Sequence, residues 1–246
     1  MLAVFVALEM EERSLLPHVG PLERRSADGF PVAFSRFRNF VVVRTGLGQR
    51  AGQAAAALLA SRRPEALLSI GFAAGLDPAL ETGDVFVCRE VRLCQEDEDS
   101  VLATSGELVA MAQRAGATAG MTVHSGINGT VPVMLTDRDA KLAVREAWDV
   151  QTVEMESYWV GRIAETAGIP FLAVRIVLDR LDDDLPQTEG LVTEEGESQP
   201  VGALKHLLRH PTQLPGLLTL ARASEVAGSS LRRFAGAFID EWDRCQ

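Results

Sequence analysis

Short apolar runs punctuate the chain: LAVFVAL at 2–8, PVAFSRF at 31–37, FVVVRT at 40–45, ALLSIGF at 66–72, GDVFVCREV at 83–91 and FLAVRIV at 171–177. Several are apolar at consecutive positions, the pattern of strands covered on both faces. Between them lie stretches with helical spacing, at about 11–18, 49–61, 106–115, 138–147 and 155–168, and a further helical pair from about 201 to 244. The alternation predicts an α/β fold with a mixed central sheet flanked by helices. No repeat or flexible linker divides the 246 residues, so one domain is expected over 1–246, with a helical C-terminal extension at about 201–246.

Composition narrows the partners. A hydrophobic content of 47% permits a sizeable core, and a formal charge of −10 argues against a nucleic-acid surface, which needs a clustered basic face. Small-molecule chemistry is the better expectation. Cys88, Cys94 and Cys245 follow neither CxxC nor Cys/His metal spacing, so reduced thiols in a cytoplasmic protein are expected, with no metal and no disulfide. The start, MLAVFVALEMEERSLL, lacks the basic leader and small-residue cleavage site of a secretory signal, and no run reaches the length of a spanning helix. Residues 182–200 are acidic and carry Pro and Gly, which reads as a long surface loop beside a strand end, where lids also occur. From 201 to 246 six Lys/Arg against four Asp/Glu give a local +2 among helically spaced leucines. Plain packing fits that tail, as do an oligomer interface and a peripheral lipid contact.

Candidate chemistry gathers in five places. VVVRTGLGQRAG imitates a dinucleotide fingerprint through Gly46, Gly48 and Ala51, but it lies on the third apolar strand, and no acid ends the next one to hold a ribose. Tight-turn glycines explain it as well. SIGFAAGLD offers Gly71, Ala73 and Ala74, small enough for a ligand to lie against a strand end. Glu9, Glu11 and Glu12 open a helix, where acids also complement the macrodipole; the same holds for Glu154 and Glu156. Asp179 is different, because it ends a buried strand behind Leu178, where apolar neighbours favour a protonated carboxyl. The four histidines have no nucleophile pattern near them, and neither GxSxG nor GxxxxGK[ST] occurs.

In their order along the chain, ALEMEERSLL, VVVRTGLGQRAGQAAAALL, PEALLSIGFAAGLDPALETGDVFV and VEMES followed by PFLAVRIVLD resemble the purine nucleoside phosphorylase and nucleosidase superfamily, over residues 2 to about 180. The resemblance implies a nucleoside substrate, with Met155 under the sugar, Glu156 accepting from its 2′- and 3′-hydroxyls, and Asp179 serving the purine N7. Base contacts are expected from Gly71, Phe72 and Ala73 and from the backbone of Val133, Met134 and Leu135. Glu12 falls on the family's catalytic glutamate when LL is aligned with LL, and Glu11 is one residue away. Breaking a glycosidic C–N bond builds positive charge on the ribose and negative charge on the base, so carboxylates near the sugar and a neutral acid at the base divide the work. Phosphorolytic members hold phosphate with arginines and a hydroxyl; here the first loop is acidic, Ser69 stands at the second arginine's place and Phe72 replaces the hydroxyl residue. Water is therefore the expected nucleophile, with no cofactor.

The implied activity is hydrolysis of a 5′-substituted adenine nucleoside. LTDRDAKLAVREAWDVQTVEMES and LLRHPTQLPGLLTLAR are closer to the hopanoid-associated branch, which acts on adenosylhopane, than to the methylthioadenosine/S-adenosylhomocysteine nucleosidases, whose SGDAFI segment has no counterpart. Three alternatives stand beside it: a methylthioadenosine/S-adenosylhomocysteine nucleosidase, a phosphate-dependent phosphorylase and a non-catalytic nucleoside-binding protein. Family members usually associate as dimers or higher oligomers, so a homo-oligomer is expected.

Overall fold

The structure, a computed structural model, describes residues 1–95, 98–185, 193, 195–197 and 214–245. Most of the 182–200 loop and the tail segment 201–213, with His206 and His210, lie outside the described residues.

The predicted strands form: β1 (Leu2–Val6), β3 (Phe30–Ser35), β4 (Phe40–Arg44), β5 (Ala66–Gly75), β6 (Val85–Gln95) and β10 (Phe171–Asp179). Four more complete the sheet: β2 (Leu22–Ala27), β7 (Glu98–Ala103), β8 (Val123–Thr130) and β9 (Thr152–Glu154). β5 pairs with β1, β9 and β10, while β10 also pairs with β6, which continues through β8 to β9. Strands β5, β10, β6, β8 and β9 thus close a small ring, and β1, β4, β3 and β2 extend the sheet from it. β4, β1, β5 and β10 lie side by side in this order and run parallel to one another, so their carboxyl ends meet on one side.

Both faces are covered, which is why consecutive apolar residues suit these strands. Leu2, Val4 and Val6 of β1 and Leu172, Val174 and Ile176 of β10 join one core, while Ala3, Phe5, Phe171, Ala173 and Val177 join another on the opposite face. The first core is closed by α1 (Glu9–Val19), α3 (Gly106–Thr118) and α6 (Leu214–Arg244); the second by α2 (Arg50–Leu59) and α5 (Ser157–Ala167). A sixth helix, α4 (Arg138–Trp148), packs by Val144 and Trp148 onto a smaller cluster around Leu76, Val131, Val150 and Val153.

The described part of the C-terminal region, the second half of the predicted helical pair, forms a 31-residue helix, and residues 201–213 lie outside the described residues. Its Leu231, Phe234 and Phe238 are buried against α1, α3 and β10, so this part of the tail packs onto the domain. No helix among the described residues is long and apolar enough to cross a membrane. Because Phe238 is 1% exposed and stacks with Phe234, Phe238→Ala is expected to cost about 3–5 kcal/mol, read as a lowered denaturant midpoint at unchanged slope.

Candidate active site

At the carboxyl ends of the parallel strands lies a cavity lined by residues from six parts of the chain. Ala7, Leu8 and Glu11 follow β1, Leu47 follows β4, and Phe72, Ala73 and Ala74 end β5. Val131, Met134 and Leu135 follow β8; Val153, Glu154, Met155 and Glu156 bracket the end of β9; Leu178 and Asp179 end β10, with Leu185 beyond. Four carboxyl side chains therefore face a wall that is otherwise apolar, in the place where open parallel sheets bind ligands.

The three acids of α1 meet three different fates, because each helical residue is turned about 100° from the last. Glu9 faces solvent and pairs with Arg13. Glu12, the expected catalytic residue, is turned away from the cavity: its carboxylate is 2.8 Å from Arg24 and 3.7 Å from Arg44, and it is absent from the lining. Glu11 takes the position instead. Its Oε2 accepts from the backbone N–H of Ala7 (2.8 Å) and Leu8 (2.9 Å), and its Oε1 from that of Phe72 (2.8 Å). Burial raises its pKa above the ordinary range, opposed by these N–H groups and by the charge of Arg175.

Gly71 serves this arrangement and not the ligand. A Cβ there would lie 2.3 Å from Glu11 Oε1 and 3.1 Å from Arg175 Nη1, so glycine is what lets the carboxylate and the guanidinium approach over the strand. It does not line the cavity; Phe72 and Ala73 do. Met134 and Leu135 line it as well, whereas Val133 is 63% exposed and outside the lining.

Met155 and Glu156 both reach the cavity. Glu156 begins α5, and its Oε1 accepts from the N–H of Gly48 at 2.8 Å. Gly46 and Gly48 have φ of 76° and 65°, the left-handed region where glycine carries no steric cost. The Gly-x-Gly turn thus aims a backbone donor at a carboxylate. Burial and then the charge of Glu154 raise the Glu156 pKa to about 8.

Glu154 is held from every side. Its Oε1 accepts from Asn128 (3.1 Å) and Thr130 (2.6 Å); its Oε2 accepts from the N–H groups of Glu156 (2.9 Å) and Ser157 (2.7 Å) and from Arg175 (2.7 Å). Arg175 in turn donates to the hydroxyls of Ser69 (2.6 Å) and Ser157. Arg175 is the member of this cluster that sequence reasoning missed. A lone arginine inside FLAVRIV is the signal, since a charge in a strand buried on both faces needs a partner.

Asp179 reaches the cavity through a β-bulge. Val177 pairs with Ala73 and Asp179 with Ala74, leaving Leu178 as the extra residue that re-aims the strand's end. Asp179 is 4% exposed, and burial raises its carboxyl pKa, partly offset by the ammonium of Lys141 at 2.6 Å.

A raised carboxyl has a fixed consequence for stability. Between the unfolded value near 4.5 and about 8 the unfolded chain loses the Glu156 proton and the folded chain keeps it, so this group makes stability fall as pH rises through that window. In Glu156→Gln that contribution is gone. The melting temperature of the variant minus that of the wild type should therefore grow from pH 4.5 to pH 8 in a thermal scan series; a constant difference would contradict the assignment.

The sequence profile of the phosphorylase superfamily matches residues 2–209. The chain is similar to the 5′-methylthioadenosine/S-adenosylhomocysteine nucleosidase of Bacillus cereus (strain B4264), with 26% identity over 196 residues covering 72% of this chain and 85% of that one. The enzyme of that name from Glaesserella parasuis is 24% identical over 200 residues, covering 74% of this chain and 87% of that one. Among solved structures, the nucleosidase from Neisseria meningitidis in complex with methylthio-immucillin-A superposes with a TM-score of 0.77 at 19% identity, over 98% of both chains. The futalosine hydrolase of Helicobacter pylori gives 0.76 at 14% identity, over 98% of this chain and 97% of that one. With the family profile spanning most of its length and the fold shared from end to end, the chain belongs to the phosphorylase superfamily.

Proposed function

We propose that this protein is a nucleosidase that uses water to cleave the N-glycosidic bond of an adenine nucleoside. The observation that carries this reading is the cavity's lining: four carboxyl residues, apolar side chains, and no lysine or arginine among the described lining residues. A phosphate dianion would meet like charge there, and the nearby Arg175 is spent on Glu154 and two serine hydroxyls. The activities named for the relatives and structural neighbours are hydrolytic as well.

In this reading Glu156 accepts from the 2′- and 3′-hydroxyls of the ribose, with Met155 against the sugar. Glu11, deprotonated, takes a proton from water as the water oxygen bonds to C1′. The C1′–N9 bond breaks, its electron pair passes into the purine, and Asp179 gives a proton to N7. The raised pKa values suit both tasks: a buried carboxylate is a stronger base, and a buried carboxyl holds its proton nearer to neutrality. Leu8, Leu47, Met134, Leu178 and Leu185 suit a substrate whose 5′ substituent is apolar. Adenosylhopane is the extended member of that class and methylthioadenosine the compact one.

Purified protein is expected to release adenine at the same rate with and without phosphate, leaving the free sugar. Formation of sugar 1-phosphate only when phosphate is added would refute hydrolysis, and a panel of apolar and polar 5′ substituents ranks the substrates by kcat/KM. Glu11→Gln should lower kcat by about 10²–10⁴-fold, the usual range for a lost proton-transfer group, and Asp179→Asn similarly. Glu12→Gln should stay close to wild type, since that side chain faces Arg24. Equal losses in the Glu11 and Glu12 variants would overturn the assignment of the base.

A further inference from the structure

Lys141 has no part in the steps above, yet its side chain is fully buried. It lies on α4, whose neighbouring residues Arg138, Arg145 and Glu146 are partly or fully exposed. An ammonium in the interior costs several kcal/mol unless it is paired and hydrogen-bonded, and leucine or methionine would fill the space without that cost. The ammonium makes two directed hydrogen bonds, to the backbone carbonyls of Arg180 and Asp183, both at 2.7 Å. Its third neighbour is Asp179 Oδ2, at 2.6 Å. That oxygen is shielded from solvent, and the ammonium beside it favours its ionised form by charge and by hydrogen bonding.

Other charged groups near Asp179 do not substitute for Lys141. The Asp183 carboxylate, in the turn after β10, opposes ionisation of Asp179 and is itself bound by Arg180. Arg180 points to Asp183 and Glu81. The remaining groups lining the cavity, Glu11, Glu154 and Glu156, are acids. Lys141 is thus the cation placed on the carboxyl of Asp179, and it also pins the main chain on which that carboxyl sits.

Resting on the nucleosidase reading, we propose that Lys141 is the positioning residue for Asp179: it fixes Oδ2, leaves Oδ1 to address the departing base, and stabilises the carboxylate that remains after proton transfer. The Asp179 O–H bond breaks as the N7–H bond forms, and the C1′–N9 electron pair enters the purine. The negative charge left on Asp179 then lies beside the ammonium. Asp179 is a stronger acid for it, with driving force gained at the expense of holding the proton to high pH.

The test compares wild type with Lys141→Met and Lys141→Gln, the second of which keeps a donor for the two carbonyls. Two readouts are taken: the pH dependence of kcat, and the titration of the Asp179 carboxyl carbon by NMR, assigned with Asp179→Asn. In both variants the carboxyl should titrate at higher pH than in wild type, and the alkaline limb of kcat should move the same way. On the acid plateau kcat should fall by about tenfold or more with KM little changed. A folded variant whose carboxyl titrates as in wild type, or whose alkaline limb stays in place while kcat falls, would overturn the proposal in favour of a structural role. A wild type that releases no base would refute the nucleosidase reading, while the NMR titration would still decide whether Lys141 governs Asp179.

Discussion

One buried guanidinium organises the floor of the cavity. Arg175 sits on a strand covered on both faces, joined to Glu154 and two serine hydroxyls, with the charges of Glu156 and Glu11 close enough to act on it. Three carboxyl groups around one cation leave an excess of negative charge in a place shielded from water. Burial raises the proton affinity of Glu11, burial and then the charge of Glu154 raise that of Glu156, and Glu154 itself is satisfied by five donors. Removing Arg175 would strand these acids without compensation, the situation in which breaking a buried ion pair is most destabilising.

The backbone supplies the other half of that arrangement. N–H groups of Ala7, Leu8 and Phe72 fix Glu11, and that of Gly48 fixes Glu156. These donors lie at the ends of β1, β5 and the turn after β4, three segments far apart in sequence that the parallel pairing brings together. Rigid strands therefore position the acids, and a bulge at Leu178 gives Asp179 its separate aim from the far side. In the proposed reaction, the same geometry that satisfies the strand-end donors would hold the carboxyl groups ready for proton transfer.

Legibility in the sequence followed burial. Strands buried on both faces announce themselves as continuous apolar runs, so β1, β4, β5, β6 and β10 were readable. VHSGINGT and LERRSA were not: the first is a Gly-bearing strand rich in polar side chains, and the second lies on an exposed edge. Three-residue β9 is too short for any period. Met155, Glu156 and Asp179 could be placed because a motif fixes them at the ends of elements. Glu11 and Glu12 could not be separated, since adjacent acids in a first turn look alike until the neighbours that bind each are known. Arg175 had a signal, a charge in an apolar strand. Lys141 had none, because within an amphipathic helix rich in Arg and Asp a lysine reads as solvated surface.

The most direct measurement is a crystal structure of the protein with an adenine nucleoside analogue whose glycosidic bond cannot be cleaved. The account predicts the ribose hydroxyls on Glu156, N7 within hydrogen-bond reach of Asp179, and a water on Glu11 facing C1′ from the side opposite the base. An analogue bound elsewhere, or seated in the cavity with Glu12 in place of Glu11 beneath the sugar, would contradict it.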